Sequence, residues 1–256
     1  MAQNASASAL KALYQRPNHP IVFANVWDTL SARVVAELPT SEALATASFA
    51  VARAEGLDDE QLTLDVNLAA IRKIASVAAE FKKPLTVDIQ DAYGPDLEKA
   101  INALIDLDVA GVNLEDCELA TGNLYDVDEA SARIERVLDV AKQRGVPDFV
   151  VNARCDALLK GHALDEVLSR GKRYLAAGAT TVFVWGAKRG VSRDEVERMV
   201  KEFDGRLAVL AKTTPDGLSV KQLAEIGVAR ISVGPTLMRA ALKTMEDQAK
   251  DLLEWR

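Results

Sequence analysis

The chain has 256 residues and carries 31 Lys and Arg against 38 Asp and Glu, a formal charge of -7. That balance argues against nucleic acid as a partner, because a phosphate backbone is bound through basic stripes. No apolar run is long enough to span a membrane and no leader pattern opens the chain, so a soluble cytoplasmic protein with no membrane attachment is expected.

Cys117 and Cys155 make no disulfide framework and fit a reducing compartment. The length suits one (β/α)8 barrel better than two domains. Residues 1–9 are small and polar and are expected to fray, leaving 10–256 as the barrel. A first apolar strand falls at 21–25, with Asp28 as N-cap of a helix reaching Leu38. A second strand lies at 43–46. Apolar residues at Val66, Leu68, Ile71, Ile74, Val77 and Ala78 then mark a helix over 65–81. Pro84 resets the chain into strand 85–88, followed by helix 96–107 and strand 112–114. Helix 128–144 stops at Gly145. Strand 149–152 leads to helix 164–177, and strand 181–185 to a helix that Ser192 caps and that reaches Phe203. Strand 207–211, helix 219–226 and strand 230–233 follow, and Pro235 opens a last helix to about Trp255. Eight strands alternating with helices require parallel pairing through right-handed crossovers. A doubly wound open sheet is the rival. It favours a glycine-rich turn after the first strand, and Asn25-Val-Trp-Asp28 is none.

Charged residues stand where the apolar strands end. In a barrel such residues converge on one mouth, which holds the active site. Asp88 ends the third strand, either as a helix cap or as a ligand. Glu115-Asp116 repeats the feature one unit later. Neighbouring strands lie about 5 Å apart, so Asp88 and Glu115 can share a hard cation. So few carboxylates suit Mg²⁺, with Mn²⁺ as a substitute, since Mg²⁺ keeps several waters. Arg154 closes the fifth strand with a fork suited to a carboxylate or phosphate, or to an ion pair with Asp156 or Glu115.

Six segments, Asn25-Val-Trp-Asp-Thr-Leu-Ser-Ala-Arg33, Ala45-Thr-Ala-Ser48, Val87-Asp-Ile-Gln-Asp-Ala-Tyr-Gly94, Asn113-Leu-Glu-Asp116, Asn152-Ala-Arg-Cys-Asp-Ala157 and Ile231-Ser-Val-Gly234, together resemble the isocitrate lyase/phosphoenolpyruvate mutase superfamily. The resemblance covers about residues 10–245 in the family's order and spacing. It implies a (β/α)8 barrel assembled as a homotetramer, with the C-terminal helix packing on a neighbouring subunit. It also implies Mg²⁺, a small α-oxo- or α-hydroxycarboxylate substrate, and C–C or more rarely P–C chemistry through an enolate-like intermediate. Residue by residue, Asp88 matches the direct metal ligand and Glu115 an acid that holds the ion, commonly through water. Asp59 matches an outer acid, and Ala47-Ser48-Phe49 the loop that seats the substrate carboxylate. Trp27 matches a pocket residue and Arg154 the clamp on the anion.

Several positions depart from that pattern. Gln90 replaces an acid in the metal surroundings. The stretch from Cys117 to Tyr125 has no Lys-Arg-Cys-Gly-His lid, and Cys117 comes too early to be its cysteine. Trp185-Gly186 stands where the lyases carry Pro-Glu; Trp185 is expected to wall the pocket, and Lys188 or Arg189 to meet a second anion or solvent. Lys212 ends the seventh strand, as a Schiff-base nucleophile or as a salt-bridged lysine. Tyr93 and Tyr125 are better proton-handling candidates than His19 or His162. The expectation is a Mg²⁺-dependent C–C lyase or hydrolase of oxaloacetate- or malate-like acids. A carboxylate-binding relative without turnover and a Lys212 aldolase are the alternatives.

Overall fold

The computed structural model describes residues 2–211 and 217–254. Eight strands run β1 (Ile21–Phe23), β2 (Leu44–Ala45), β3 (Leu85–Asp88), β4 (Gly111–Glu115), β5 (Val150–Cys155), β6 (Thr181–Val184), β7 (Leu207–Leu210) and β8 (Arg230–Ser232). The helices are α1 (Ala2–Leu13), α2 (Thr29–Ala36), α3 (Ser48–Ala54), α4 (Leu64–Glu80), α5 (Leu97–Asp106), α6 (Val127–Gln143), α7 (Leu164–Ala176), α8 (Arg193–Glu202), α9 (Val220–Ile226) and α10 (Thr236–Leu253). All strands pair in parallel in the order β1-β8-β7-β6-β5-β4-β3-β2. The remaining seam is drawn together by a parallel bridge between Val26 and Thr46. This is the expected (β/α)8 barrel.

Local chemistry sets the element boundaries. Asp28 caps α2 with a reciprocal bond to Ser31, and Ser192 and Ser219 do the same with Glu195 and Gln222 at α8 and α9. Gly227 ends α9 in the left-handed conformation. On the strands' outer faces, Val87, Val112, Leu114, Val151, Val182 and Val184 are buried. The lumen is different. Asp88, Asn113, Asn152 and Thr181 occupy one register level across β3 to β6, so this quadrant of the core is polar.

Two elements differ from the sequence expectation. Residues 2–9 of the stretch expected to fray lie in α1, whose Ala7 and Leu10 are fully buried and whose Asn4 and Lys11 bond Asp148. Its small residues allow close packing, which composition alone reads as flexibility. Helix α3 was not expected, because it starts three residues after β2 with no polar cap and a nearly all-buried face. Among the described residues no helix is long and apolar enough to cross a membrane.

Candidate active site

Asp88 stands at the mouth on the last residue of β3, and all its polar atoms are held. Its N–H donates to Thr46 Oγ1 at 2.9 Å, and its carbonyl accepts from Asn67 Nδ2 at 3.1 Å. One carboxylate oxygen accepts from Asn113 Nδ2 at 3.0 Å and the other from the Ser48 N–H at 3.0 Å. The carboxylate is therefore aimed before anything binds.

Three other acids gather around it. Asp59 follows α3, and Gln90 Nε2 donates to its Oδ1 at 3.2 Å and to its carbonyl at 2.8 Å. Burial, with help from the Asp88 charge, pushes the Asp59 carboxyl up to about 6. Glu115 and Arg154 face each other in register on β4 and β5. Arg154 Nη1 donates to Glu115 at 2.6 Å, and Arg154 Nε donates to Asp156 at 2.7 Å. Both ion pairs foreseen as alternatives for Arg154 thus form together. Burial raises the Glu115 pKa although Arg154 opposes the shift. For Arg154, burial works to lower the pKa, but the charges of Asp156, Glu115 and Asp88 win and raise it. Four carboxylates thus surround one guanidinium, and burial pushes two of them, Asp59 and Glu115, towards the protonated form.

The opposite wall is aromatic. The Arg154 guanidinium lies 4.9 Å from the Trp185 ring and 5.9 Å from Phe183. A Cβ at Gly186 would sit 1.8 Å from the Gly190 carbonyl oxygen, so this loop path admits no side chain at that position. Ala47 and Ser48 are buried at the start of α3, and Trp27 packs beside Ala47 and Ala50. Phe49 lies between the Arg53 and Arg239 guanidinium groups, at 5.4 and 5.2 Å. Tyr93 accepts a 2.6 Å bond from Asn67, and burial raises its pKa. Arg189 pairs with Glu195, while His19 and His162 are exposed. Cys117 is half-buried, with its thiol pKa pushed up by burial. Lys212 lies outside the described residues.

Asp91, Arg133 and Tyr174, like Asn113 and Asn152, support the site and escaped sequence reasoning. Gln90, Ala92 and Tyr93 all have φ between 51 and 60°, a left-handed conformation that costs about 1–2 kcal/mol per residue. Asp91 holds this stretch, accepting from Tyr93 N, Leu119 N and Tyr125 Oη. Arg133 adds bonds to the Asp91 and Gly94 carbonyls and stacks on Tyr125. Beneath Arg154, buried Asp116 accepts from Tyr174 Oη at 2.6 Å and from the Asp156 N–H at 2.8 Å. The one signal in the sequence was a polar residue two positions before each charged strand end, Asn113 before Glu115 and Asn152 before Arg154.

Among the described residues no group of three or more His, Cys, Asp or Glu is placed to grip a metal by itself. The donor set suits a cation that keeps most of its water. Asn67 Oδ1, Gln90 Oε1 and Asp156 Oδ2 are buried acceptors with no donor among the described residues, the kind of unmet oxygen that a hydrated cation would satisfy. Oxygen-only chemistry of this kind fits Mg²⁺.

A family model described as phosphoenolpyruvate phosphomutase matches residues 10–253. A solved Burkholderia cenocepacia protein, described as a candidate phosphonomutase, shares a TM-score of 0.86 and 35% identity, over 97% of this chain and 99% of that one. An uncharacterized protein of Mycobacterium tuberculosis is 33% identical over 87% of this chain and 81% of its own length. An oxaloacetate decarboxylase of Ectopseudomonas mendocina is 26% identical, over 88% of this chain and 77% of its own.

Proposed function

Because the chain belongs to the phosphoenolpyruvate phosphomutase family, we propose that it is a Mg²⁺-dependent lyase or hydrolase. It cleaves a carbon–carbon bond in a small α-oxo- or α-hydroxycarboxylate of the oxaloacetate or malate type. The observation that carries this reading is the meeting of Asp59, Asp88 and Glu115 with Arg154 at one barrel mouth. Asp88 and Glu115 hold the ion, with Gln90 bonding its water. When bound, the ion supplies a Lewis acid for the negative charge of an enolate-like oxygen. Arg154 orients the anionic end of the substrate, in surroundings where Trp185 and Phe183 limit water and strengthen the attraction. The Ala47-Ser48-Phe49 turn seats the substrate carboxylate, and Trp27 lines that side. Asp59, with its pKa near 6, exchanges a proton readily near neutral pH. Tyr93 and Lys212 are the further candidates for proton handling.

The test is incubation with oxaloacetate and malate-like acids, with and without Mg²⁺, followed by proton NMR. Metal-dependent release of pyruvate, or of acetate with oxalate, is expected. A second reading, a carboxylate-binding relative without turnover, is favoured by the neutral Gln90. Tight metal-dependent oxalate binding without conversion of any α-oxo or α-hydroxy acid would establish it over the first.

We also propose a homo-oligomer, a tetramer by family resemblance. Only Met238 of α10 is buried, while Leu242, Met245, Leu252 and Leu253 are 55 to 77% exposed. Spacing of three, seven and one places them along one stripe, the pattern of a helix that needs a partner surface. Leu242→Glu with Met245→Glu should lower the mass measured by light scattering towards that of one chain. Unchanged mass would remove α10 from the interface.

A further inference from the structure

Beneath the mouth, three uncharged side chains form a directed series that ends on Asp88. Thr181 Oγ1 donates to Asn152 Oδ1 at 2.6 Å. Asn152 Nδ2 donates to Asn113 Oδ1 at 2.8 Å, and Asn113 Nδ2 donates to Asp88 Oδ1 at 3.0 Å. The four residues sit on β6, β5, β4 and β3 as direct neighbours in register. Thr181 and Asn152 are 1% exposed and Asn113 is 5% exposed, so water cannot substitute for a lost bond. Hydrophobic side chains usually fill a barrel lumen in such layers, and a polar row there needs a reason.

The polarity of the row follows from its end. A carboxylate only accepts, so Asn113 must turn its NH₂ to Asp88 and its oxygen to Asn152. Asn152 must then do likewise, and its own oxygen faces β6. Thr181 closes the row as the terminal donor. Without that hydroxyl, Asn152 either buries an orphaned carbonyl oxygen or flips, setting its oxygen against Asn113 Oδ1. Both outcomes loosen the hold of Asn113 on Asp88.

We propose that Thr181, Asn152 and Asn113 are positioning residues for the metal site. They orient Asp88 through side chains that do not themselves touch the ion, with Thr181 as the distal anchor. This rests on the reading of Asp88 as the metal ligand. The outer-shell partners of metal ligands affect metal affinity strongly, by tenfold or more. The aligned amide dipoles also point their donor ends at the carboxylate, which strengthens each bond in the row.

The lumen contains its own control. Thr86 lies two residues before Asp88 on β3, is 1% exposed, and its Oγ1 has no partner among the described residues. Thr86→Val therefore makes the same chemical change at a comparably buried site outside the row. Mn²⁺ affinity in the presence of oxalate, measured by electron paramagnetic resonance on the whole chain, reads the effect without turnover. Thr181→Val should weaken Mn²⁺ binding by about tenfold, while Thr181→Ser and Thr86→Val bind as wild type does. If Thr181→Val does not fold, Asn152→Ser breaks the same row and should show the same loss. Wild-type affinity in Thr181→Val, or an equal loss in Thr86→Val, overturns the inference while leaving the metal site standing. Absence of Mn²⁺ binding by the wild type overturns the metal reading and the inference with it.

Discussion

Asp88→Ala should abolish the joint stabilisation of the protein by Mn²⁺ and oxalate. A ligand bound to the folded state alone at about 100 times its Kd adds about 2.7 kcal/mol, a rise in Tm of roughly 5–10 °C for a chain of this size. On the proposed function, the wild type should show that rise only when both components are present, because Asp88 and Glu115 would hold the ion only weakly without the further oxygens of the oxalate. Asp88 is the carboxylate at the mouth that Asn113, Ser48 and Gln90 all orient. Proton linkage gives the same experiment a second readout. Asp59 has its pKa pushed up to about 6, and that of Glu115 is raised, both chiefly by burial. The ion must displace protons held by these groups, so its affinity should climb as pH rises through about 6, with proton release on binding. A joint shift that survives in Asp88→Ala, or Mn²⁺ affinity that stays flat from about pH 5 to about pH 8, would falsify the metal assignment.

Arg154→Met should cost about 3–5 kcal/mol of stability at neutral pH, together with the ability to bind oxalate. Arg154 is 14% exposed and Glu115 13%, and Asp156 is nearly fully buried. Removing the guanidinium leaves two buried carboxylates facing each other with no cation. The pH dependence identifies the cause. The folded-state pKa of Glu115 is raised, so its contribution to stability is fully present below the unfolded pKa and is lost as pH rises through the folded pKa. In Arg154→Met the attraction that restrained this rise is gone, so the folded pKa climbs further. The stability deficit should therefore be small in acid and grow towards neutral pH. Urea denaturation at both ends of that range measures it. A deficit under about 1 kcal/mol, or one unchanged between acid and neutral pH, would show that Arg154 contributes packing and not charge balance.

Much of this site was legible because the barrel turns strand ends into one surface. Asp88, Glu115 and Arg154 each interrupt an apolar run, and in the folded chain all three meet at the mouth. Gln90 stood out as a neutral residue among acids, yet its side chain turns to Asp59, which no spacing foretells. Asp156 was visible only as one possible partner of Arg154, whereas Arg154 bonds Asp156 and Glu115 at once. Asn113 and Asn152 showed along the chain only as polar residues two positions before a charged strand end, and no spacing foretells that they bond one another across β4 and β5.

The sequence by itself determined the strand–helix alternation, the helix caps and the ends at which charge accumulates. Those features depend on residues within a turn or two of one another: hydrophobic period, proline, glycine and hydroxyl caps. Helices α1 and α3 lay beyond it because their small residues become meaningful only against the surface they cover. Tertiary structure alone decided that Thr181 reaches Asp88 through two amides, and that Tyr174 bonds Asp116 beneath Arg154. Those contacts follow from strand register. Register is set by closing the whole barrel and burying every outer face together, and no local stretch of chain contains that condition.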